Sequence, residues 1–373
     1  MKIVIAPDSF KNALRASEVA RALSEGWKSV RPQDETVLLP MSDGGEGLCD
    51  ALANSLGGTF VESPVHDALM RECLAKAVIS GETAVVESAE ANGIERLLQS
   101  ELSPLETTTF GVGELLRTLL EKYRCRNFII GIGGSATVDG GVGMLQALGY
   151  RFFDADGKLI PPGAGGGVLE KIVRICDKEV EPQLKSAKIK VACDVTNVLC
   201  GNSGSAAVFG PQKGATPEMV EILDKNLKHF AELWNDKGEA EGDGAAGGLG
   251  FALRQLGGEM VSGAQLVMQE THFTEHLSGA GLVITGEGCS DDQTACGKLC
   301  SAIALAAKRS EVPTVLVSGA LRGDCAELEK LFAGCFSISR GVCTLEEALK
   351  DTENNLKKSA RALAAFASKL LNR

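Results

Sequence analysis

Four loops of this chain set carboxylates among hydroxyls, glycines or a lysine. The densest is GIGGSATVDGG, Gly131 to Gly141, with five glycines in eleven positions directly after the apolar run Asn127-Phe128-Ile129-Ile130. The others are PDSFKN from Pro7, MSDGGEG from Met41 and GEGCSDDQT from Gly286. Glycines let backbone N–H groups come close to an anion, hydroxyls add donors, and carboxylates beside them suit a divalent cation. A phosphate held together with a metal ion is the chemistry that this mixture fits. Any one of these loops is also an ordinary turn, because Gly and Asp make tight turns and helix caps. Several together ask for more, since a plain turn does not need Asp, Ser and Lys repeatedly.

The candidates from these loops are Asp8, Ser9 and Lys11; Asp43, Gly44 and Gly45; Gly133, Gly134, Ser135, Thr137 and Asp139; and Glu287, Asp291 and Gln293. Lys298 follows Gly297 but precedes Leu299, so no GxxxxGK[ST] phosphate loop is formed, and the first strand is not followed by GxGxxG. Outside the loops, Asp194 ends an apolar strand and either projects into a cleft or makes a local turn. Its neighbour Cys193 has no nearby His and nothing to lower its pKa, so a nucleophilic role is disfavoured. His272 and His276 stand i, i+4 without an HExxH arrangement and read as a solvated face. Arg71 either binds a carboxylate or is simply solvated.

The elements that must position these loops are short apolar strands alternating with helical segments, which indicates a parallel sheet covered on both faces. Five such strands are expected at Lys2 to Ala6, Val37 to Leu39, Leu282 to Thr285, Thr314 to Val317 and Cys335 to Ile338. Helix one is expected to start at Ser17 as N-cap, with Val19, Ala20, Leu23, Trp27 and Val30 as its apolar stripe. The middle of the chain differs, with hairpin-like segments between Thr59 and Ser88 and long glycine-rich connections, and reads as an insertion. The expected division is therefore a discontinuous domain, residues 1–58 and 280–373, interrupted by an α/β domain over 59–279. In a sheet of order 2-1-3-4-5, the loops after the first and third strands flank the topological switch, where ligands bind. Asp8, Ser9 and Lys11 are then expected beside Glu287, Asp291 and Gln293.

The 373 residues, 44% of them hydrophobic, suffice for two cores. A formal charge of −11 with no Lys/Arg-rich stripe argues against a nucleic-acid binder. No apolar run approaches the roughly 18 residues of a membrane helix, and Met1 to Ala6 is too short for a signal core, so a cytoplasmic protein without membrane partners is expected. The twelve cysteines include no CxxC pair and read as reduced, mostly buried thiols.

MKIVIAPDSFKNAL, PMSDGGEG, GIGGSATVDGGVGMLQALG, CDVTNVLCGNSGSAAVFGPQKGA, GAAGGLG, LVITGEGCSDDQTACGK and TLEEAL together resemble, in order, the signature blocks of the class I glycerate kinases. The resemblance runs from Met1 to about Ala364. It implies a flavodoxin-like domain interrupted by a second α/β domain, with ATP-dependent phosphorylation of D-glycerate to 2-phosphoglycerate in the cleft between them. Mg2+ is the implied cofactor, and a homodimer is compatible with it. The alternatives are a kinase of another small hydroxy acid, phosphorylation at the 3-hydroxyl, or an inactive binding protein on the same scaffold. Departures from the family pattern are Asn12 for Gly, Leu48 for Thr, Val138 for Asn, Val198 for Pro, and Cys289-Ser290 for Arg-Ile.

On this basis Lys11 is assigned to neutralise a phosphate or the substrate carboxylate. Asp43 and Glu287 support Mg2+ directly or through water, and Asp194 or Asp291 orients the attacking hydroxyl. Asp8, Ser9, Gly44, Gly45, Arg71, Gly133, Gly134, Ser135, Thr137, Gln293 and Lys298 are assigned to substrate or phosphate binding. Asp139 either holds its loop or faces the metal.

Overall fold

A computed structural model describes residues 1–295 and 299–371, excluding the side chains of Gln293, Ala295, Leu370 and Leu371. Lys298 and the Gln293 side chain therefore lie outside the described residues. The chain divides into two compact units. The first comprises Met1–Asp43, Asp50–Leu56 and Ala264–Arg373; the second comprises Gly44–Cys49 and Gly57–Gly263. Relative to the division expected at 58 and 280, the segment Ala264 to Gly279 groups with the first unit. The glycines of MSDGGEG group with the second.

The first unit is built on a five-stranded parallel sheet of Lys2–Ile5, Glu35–Leu38, Ala280–Thr285, Thr314–Ser318 and Gly334–Ser337. Numbered in that sequence order, the strands lie 2-1-3-4-5, the doubly wound flavodoxin-like order. Alternation sends successive side chains to opposite faces. Ile3, Ile5, Ile284, Val315 and Val317 pack under the helices Ala16–Lys28 and Thr352–Leu371 through Leu23, Trp27, Leu356, Ala360 and Ala364. Leu316 faces the other way, onto Cys300, Ala304, Leu328 and Phe332 of the helices Leu299–Arg309 and Ala326–Leu331 and the residue that follows. The first helix begins one residue before Ser17, with Arg15 in the cap position, because Glu18 Oε2 takes the Arg15 N–H at 3.0 Å. The expected serine cap is thus replaced by a carboxylate reaching back from the first turn.

The second unit has a six-stranded mixed sheet in the order Glu259–Val261, Lys188–Ala192, Asn127–Gly131, Thr83–Glu87, Glu72–Ser80 and Thr59–His66. Its first four strands are parallel and the last two antiparallel. Pro64, which has no N–H to give, lies on the edge strand. The core gathers Phe128, Ile130 and Val191 of the sheet with Leu116, Leu119, Leu145, Phe230 and Phe251. Among the described residues no helix is long and apolar enough to cross a membrane.

Candidate active site

The first unit brings the loops after its first and third strands side by side, as the strand order requires. Thr285 Oγ1 donates to Ala6 O at 2.7 Å, and Asp8 N–H donates to Gly286 O at 2.8 Å. A Cβ on Gly288 would lie 3.4 Å from the Lys11 backbone nitrogen, so the two loops run in contact. Asp8 Oδ1 accepts from the Ser9 N–H at 2.6 Å. Asn12 adopts φ +62°, a left-handed backbone that asparagine tolerates better than most residues, which accounts for its standing where the family pattern has glycine.

Glu287 is held in place from its own loop. Ser290 Oγ and Thr294 Oγ1 each donate to its Oε1 at 2.8 Å, and Ser290 Oγ lies 2.6 Å from Ser318 Oγ. All three hydroxyl residues are fully buried. Ser290 is one of the departures from the family pattern, and it supplies a hydroxyl that isoleucine could not. Asp291 caps the short helix Asp292–Ala295. Its N–H donates to Thr294 Oγ1 at 3.1 Å, and its Oδ1 accepts the Thr294 N–H at 3.3 Å.

Burial, followed by the negative charges of Asp43 and Glu287, pushes the Asp8 carboxyl up to about 8; the Ser9 hydrogen bonds oppose this. Asp8 therefore carries a proton at neutral pH. The Asp43 and Glu287 carboxyls, both near enough to raise the Asp8 pKa, give with it a set of oxygen donors that suits a hard cation. Among the described residues no three acidic, histidine or cysteine side chains converge as direct ligands of one ion would. Mg2+ is usually bound through one or two carboxylates and its own waters, which oxygen donors of this kind can supply.

The raised Asp8 carboxyl predicts a pH-dependent stability. Between about pH 4 and pH 8 the unfolded chain has lost this proton while the folded chain keeps it, so stability falls as pH rises through that window. Asp8→Asn should leave Tm nearly unchanged at the acid end and raise it by several degrees at about pH 9, as removal of a strained functional acid does. Scanning calorimetry across the window checks this. Equal shifts at both ends would show that Asp8 is not held protonated by its neighbours.

In the second unit, the glycine-rich loop joins the strand Asn127–Gly131 to the helix Val142–Ala147. Part of its bare backbone is explained by packing. Gly140 and Gly141 lie against Phe230, Leu227 and Ala252 in the core. Gly133 and Gly134 are exposed, and a Cβ on Gly133 would lie 2.8 Å from Gly45 Cα. Gly45 in turn belongs to a segment anchored by Glu87, which accepts the N–H groups of Gly47 at 3.0 Å and Cys49 at 2.8 Å. Gly44 is buried against Ala192. What these glycines present outward is therefore a small surface of Gly133, Gly134 and Gly45.

Asp139 is fully buried and holds the loop. Its Oδ2 accepts from Thr109 N and Oγ1, both at 2.8 Å, and from Gly143 N at 3.2 Å, while Oδ1 accepts from Gly141 N at 3.0 Å. Burial raises its pKa and these bonds oppose the rise. Thr137 is also fully buried and accepts from Asn92 Nδ2 at 3.1 Å, so it braces the loop from within. Beneath it lies Lys213, 2% exposed, whose Nζ donates to Ser135 Oγ at 2.9 Å and Thr137 O at 2.7 Å. Lys213 is not among the residues that the loop patterns single out; its signal in the sequence is a lone lysine in PQKGA, just before a glycine.

Two further assignments meet other partners. Arg71 Nε binds Asp67 Oδ2 at 2.6 Å and its Nη1 binds Glu101 Oε1 at 2.7 Å, so its guanidinium is already committed to two carboxylates. Asp194 is exposed and its Oδ1 accepts the Gly263 N–H at 3.0 Å, which ties two loop ends together. Cys193 is a thiol, its pKa raised by burial. Of the remaining departures, Leu48 and Val138 are fully buried apolar residues in a packed interior, whereas Cys289 is exposed.

A doubly wound sheet with acid-bearing loops after its first and third strands, and a second sheet with a braced glycine loop, define a two-unit α/β protein of the doubly wound class. A family model described as the glycerate kinase family matches residues 3–368. Glycerate kinase of Haemophilus influenzae is 42% identical over 373 residues, 98% of either chain. Glycerate 2-kinase of Escherichia coli K12 is 42% identical over 374 residues, covering 98% of this chain and 97% of its own. The crystal structure of a protein described as glycerate kinase 2 from Salmonella typhimurium LT2 matches at a TM-score of 0.88 and 41% identity, covering 100% of both chains. The chain belongs to the glycerate kinase family, and so to the phosphotransferases.

Proposed function

We propose that this chain transfers the γ-phosphoryl group of ATP to the 2-hydroxyl of D-glycerate, releasing ADP and 2-phosphoglycerate, with Mg2+ as cofactor. The observation that carries the reading is the family match over nearly the whole chain, joined to the Asp43 and Glu287 carboxyls that raise the Asp8 pKa. In the transfer, the bond from the γ-phosphorus to the bridging oxygen of ADP breaks as a bond to the glycerate oxygen forms, and the hydroxyl proton passes to a carboxylate or water. The chain's part is positioning and charge neutralisation. Lys11 neutralises a phosphate or the substrate carboxylate. Asp43 and Glu287, the latter fixed by Ser290 and Thr294, hold Mg2+ directly or through water. The ion, when bound, spreads the charge that develops on the phosphate oxygens.

Asp194 and Asp291 remain the proposed groups orienting the hydroxyl, although each also has a structural bond to keep. Gly133, Gly134, Gly45 and Ser135 bind an anionic group of one of the substrates. Phosphorus NMR of the early reaction with D-glycerate, ATP and Mg2+ tests the product. A dominant 2-phosphoglycerate resonance is expected. An early 3-phosphoglycerate resonance would move the transfer to the other hydroxyl, and faster turnover on a different hydroxy acid would replace the substrate.

A further inference from the structure

Lysine ammonium has three donors and no acceptor, and this decides what its neighbours must do. Lys213 Nζ reaches Ser135 Oγ at 2.9 Å, so the serine oxygen accepts there and its own proton must be given to something else. Among the described residues no acceptor takes the Ser135 proton. Ser135 is 6% exposed and directly follows Gly133 and Gly134, the exposed pair of the loop. Resting on the kinase reading above, we infer that Lys213 is a positioning residue: it turns the Ser135 hydroxyl into an obligate donor aimed at the anionic group of a bound substrate. The second bond of the ammonium, to Thr137 O at 2.7 Å, fixes the loop on its far side.

Building a lysine into a dry interior costs folding energy, which a purely structural brace would avoid with an apolar residue of the same length. Burial brings the Lys213 pKa down to about 7, opposed by the charge of Asp139 on the same loop. The groups bonded to the ammonium, the Ser135 hydroxyl and the Thr137 backbone carbonyl, carry no charge. The neutral amine has a lone pair. Once it forms, the Ser135 hydroxyl can turn back and donate to Nζ, and the donor to the ligand is lost. Affinity for the anion is therefore highest below about pH 7 and declines as pH rises through it.

The test is a double-mutant cycle of Lys213→Met and Ser135→Ala, with Kd for ATP and for D-glycerate measured by calorimetry from about pH 6 to 9. The ratio of variant to wild-type Kd cancels the titration of the substrate itself. Each single variant should weaken one substrate about tenfold or more at the acid end, with the ratio approaching unity at the basic end. The double variant should be no worse than either single. Additive losses, a ratio independent of pH, or unchanged Kd for both substrates would overturn the inference. If Lys213→Met does not fold, Ser135→Ala alone decides by the same pH dependence. These are binding measurements, so a wild type that binds both substrates but does not phosphorylate would remove the kinase reading and leave this inference to its own ratios. A wild type that binds neither would remove both.

Discussion

Glu287→Gln is expected to lower kcat about a hundredfold to a thousandfold while leaving the melting temperature near that of the wild type. The neutral amide keeps the size of the carboxylate and can still accept from Ser290 and Thr294, which now bond Oε1 at 2.8 Å, so the loop has no reason to collapse. What disappears is a negative charge at the end of the third strand, which on the proposed reading helps to hold a cation against the phosphates. Losing one preorganised charge of this kind costs about two to three powers of ten. The same substitution removes part of the repulsion felt by Asp8, so the Asp8 carboxyl should titrate lower in this variant. Carbon-13 NMR of labelled aspartate reads that shift, and the coupled assay at saturating Mg2+ reads turnover. If raising Mg2+ restores full turnover, Glu287 only sets the affinity for the ion. Unchanged turnover at all Mg2+ concentrations would take Glu287 out of the site.

Asp139→Ala should be the most damaging single change to the fold of the second unit. Four bonds converge on this one carboxylate, from Thr109 N and Oγ1, Gly141 N and Gly143 N, all in a fully buried place. Alanine strands three backbone N–H groups where water has no easy access, and each unsatisfied donor costs about 1–3 kcal/mol. A total of at least about 4 kcal/mol follows, or a fall in Tm of roughly 10 °C for a domain of this size. Differential scanning calorimetry decides it. A fall of less than about 2 °C would mean that water enters and replaces the carboxylate. Catalysis should fail with the fold, since the bonds lost are those that set the loop carrying Gly133, Gly134 and Ser135. Retained activity in a strongly destabilised Asp139→Ala protein would show that the loop is not part of the site.

The doubly wound sheet was legible because its signals are local. Runs such as Lys2-Ile3-Val4-Ile5 and Thr314-Val315-Leu316-Val317 show strand periodicity without reference to anything distant, and short apolar strands separated by helical stripes admit few topologies. The juxtaposition of Asp8 with Glu287 followed from strand order, although the two are far apart in sequence. The first helix starts two residues before the position that Ser17 as N-cap implies, because a capping carboxylate reaching back from Glu18 competes with a serine that looks equally suitable.

The sequence by itself determined the alternation of strands and helices and the loops in which carboxylates and glycines gather, because each of these is set by residues close together in the chain. The tertiary structure alone decided which glycines face outward and which are bare because another segment passes within contact, as Gly45 does at Gly133 and Ala252 at Gly141. It alone showed Arg71 spent on Asp67 and Glu101, and Lys213 buried beneath Ser135. The physical reason is that a polar group's chemistry depends on what desolvates it and what bonds it, and those partners come from segments that no local pattern connects.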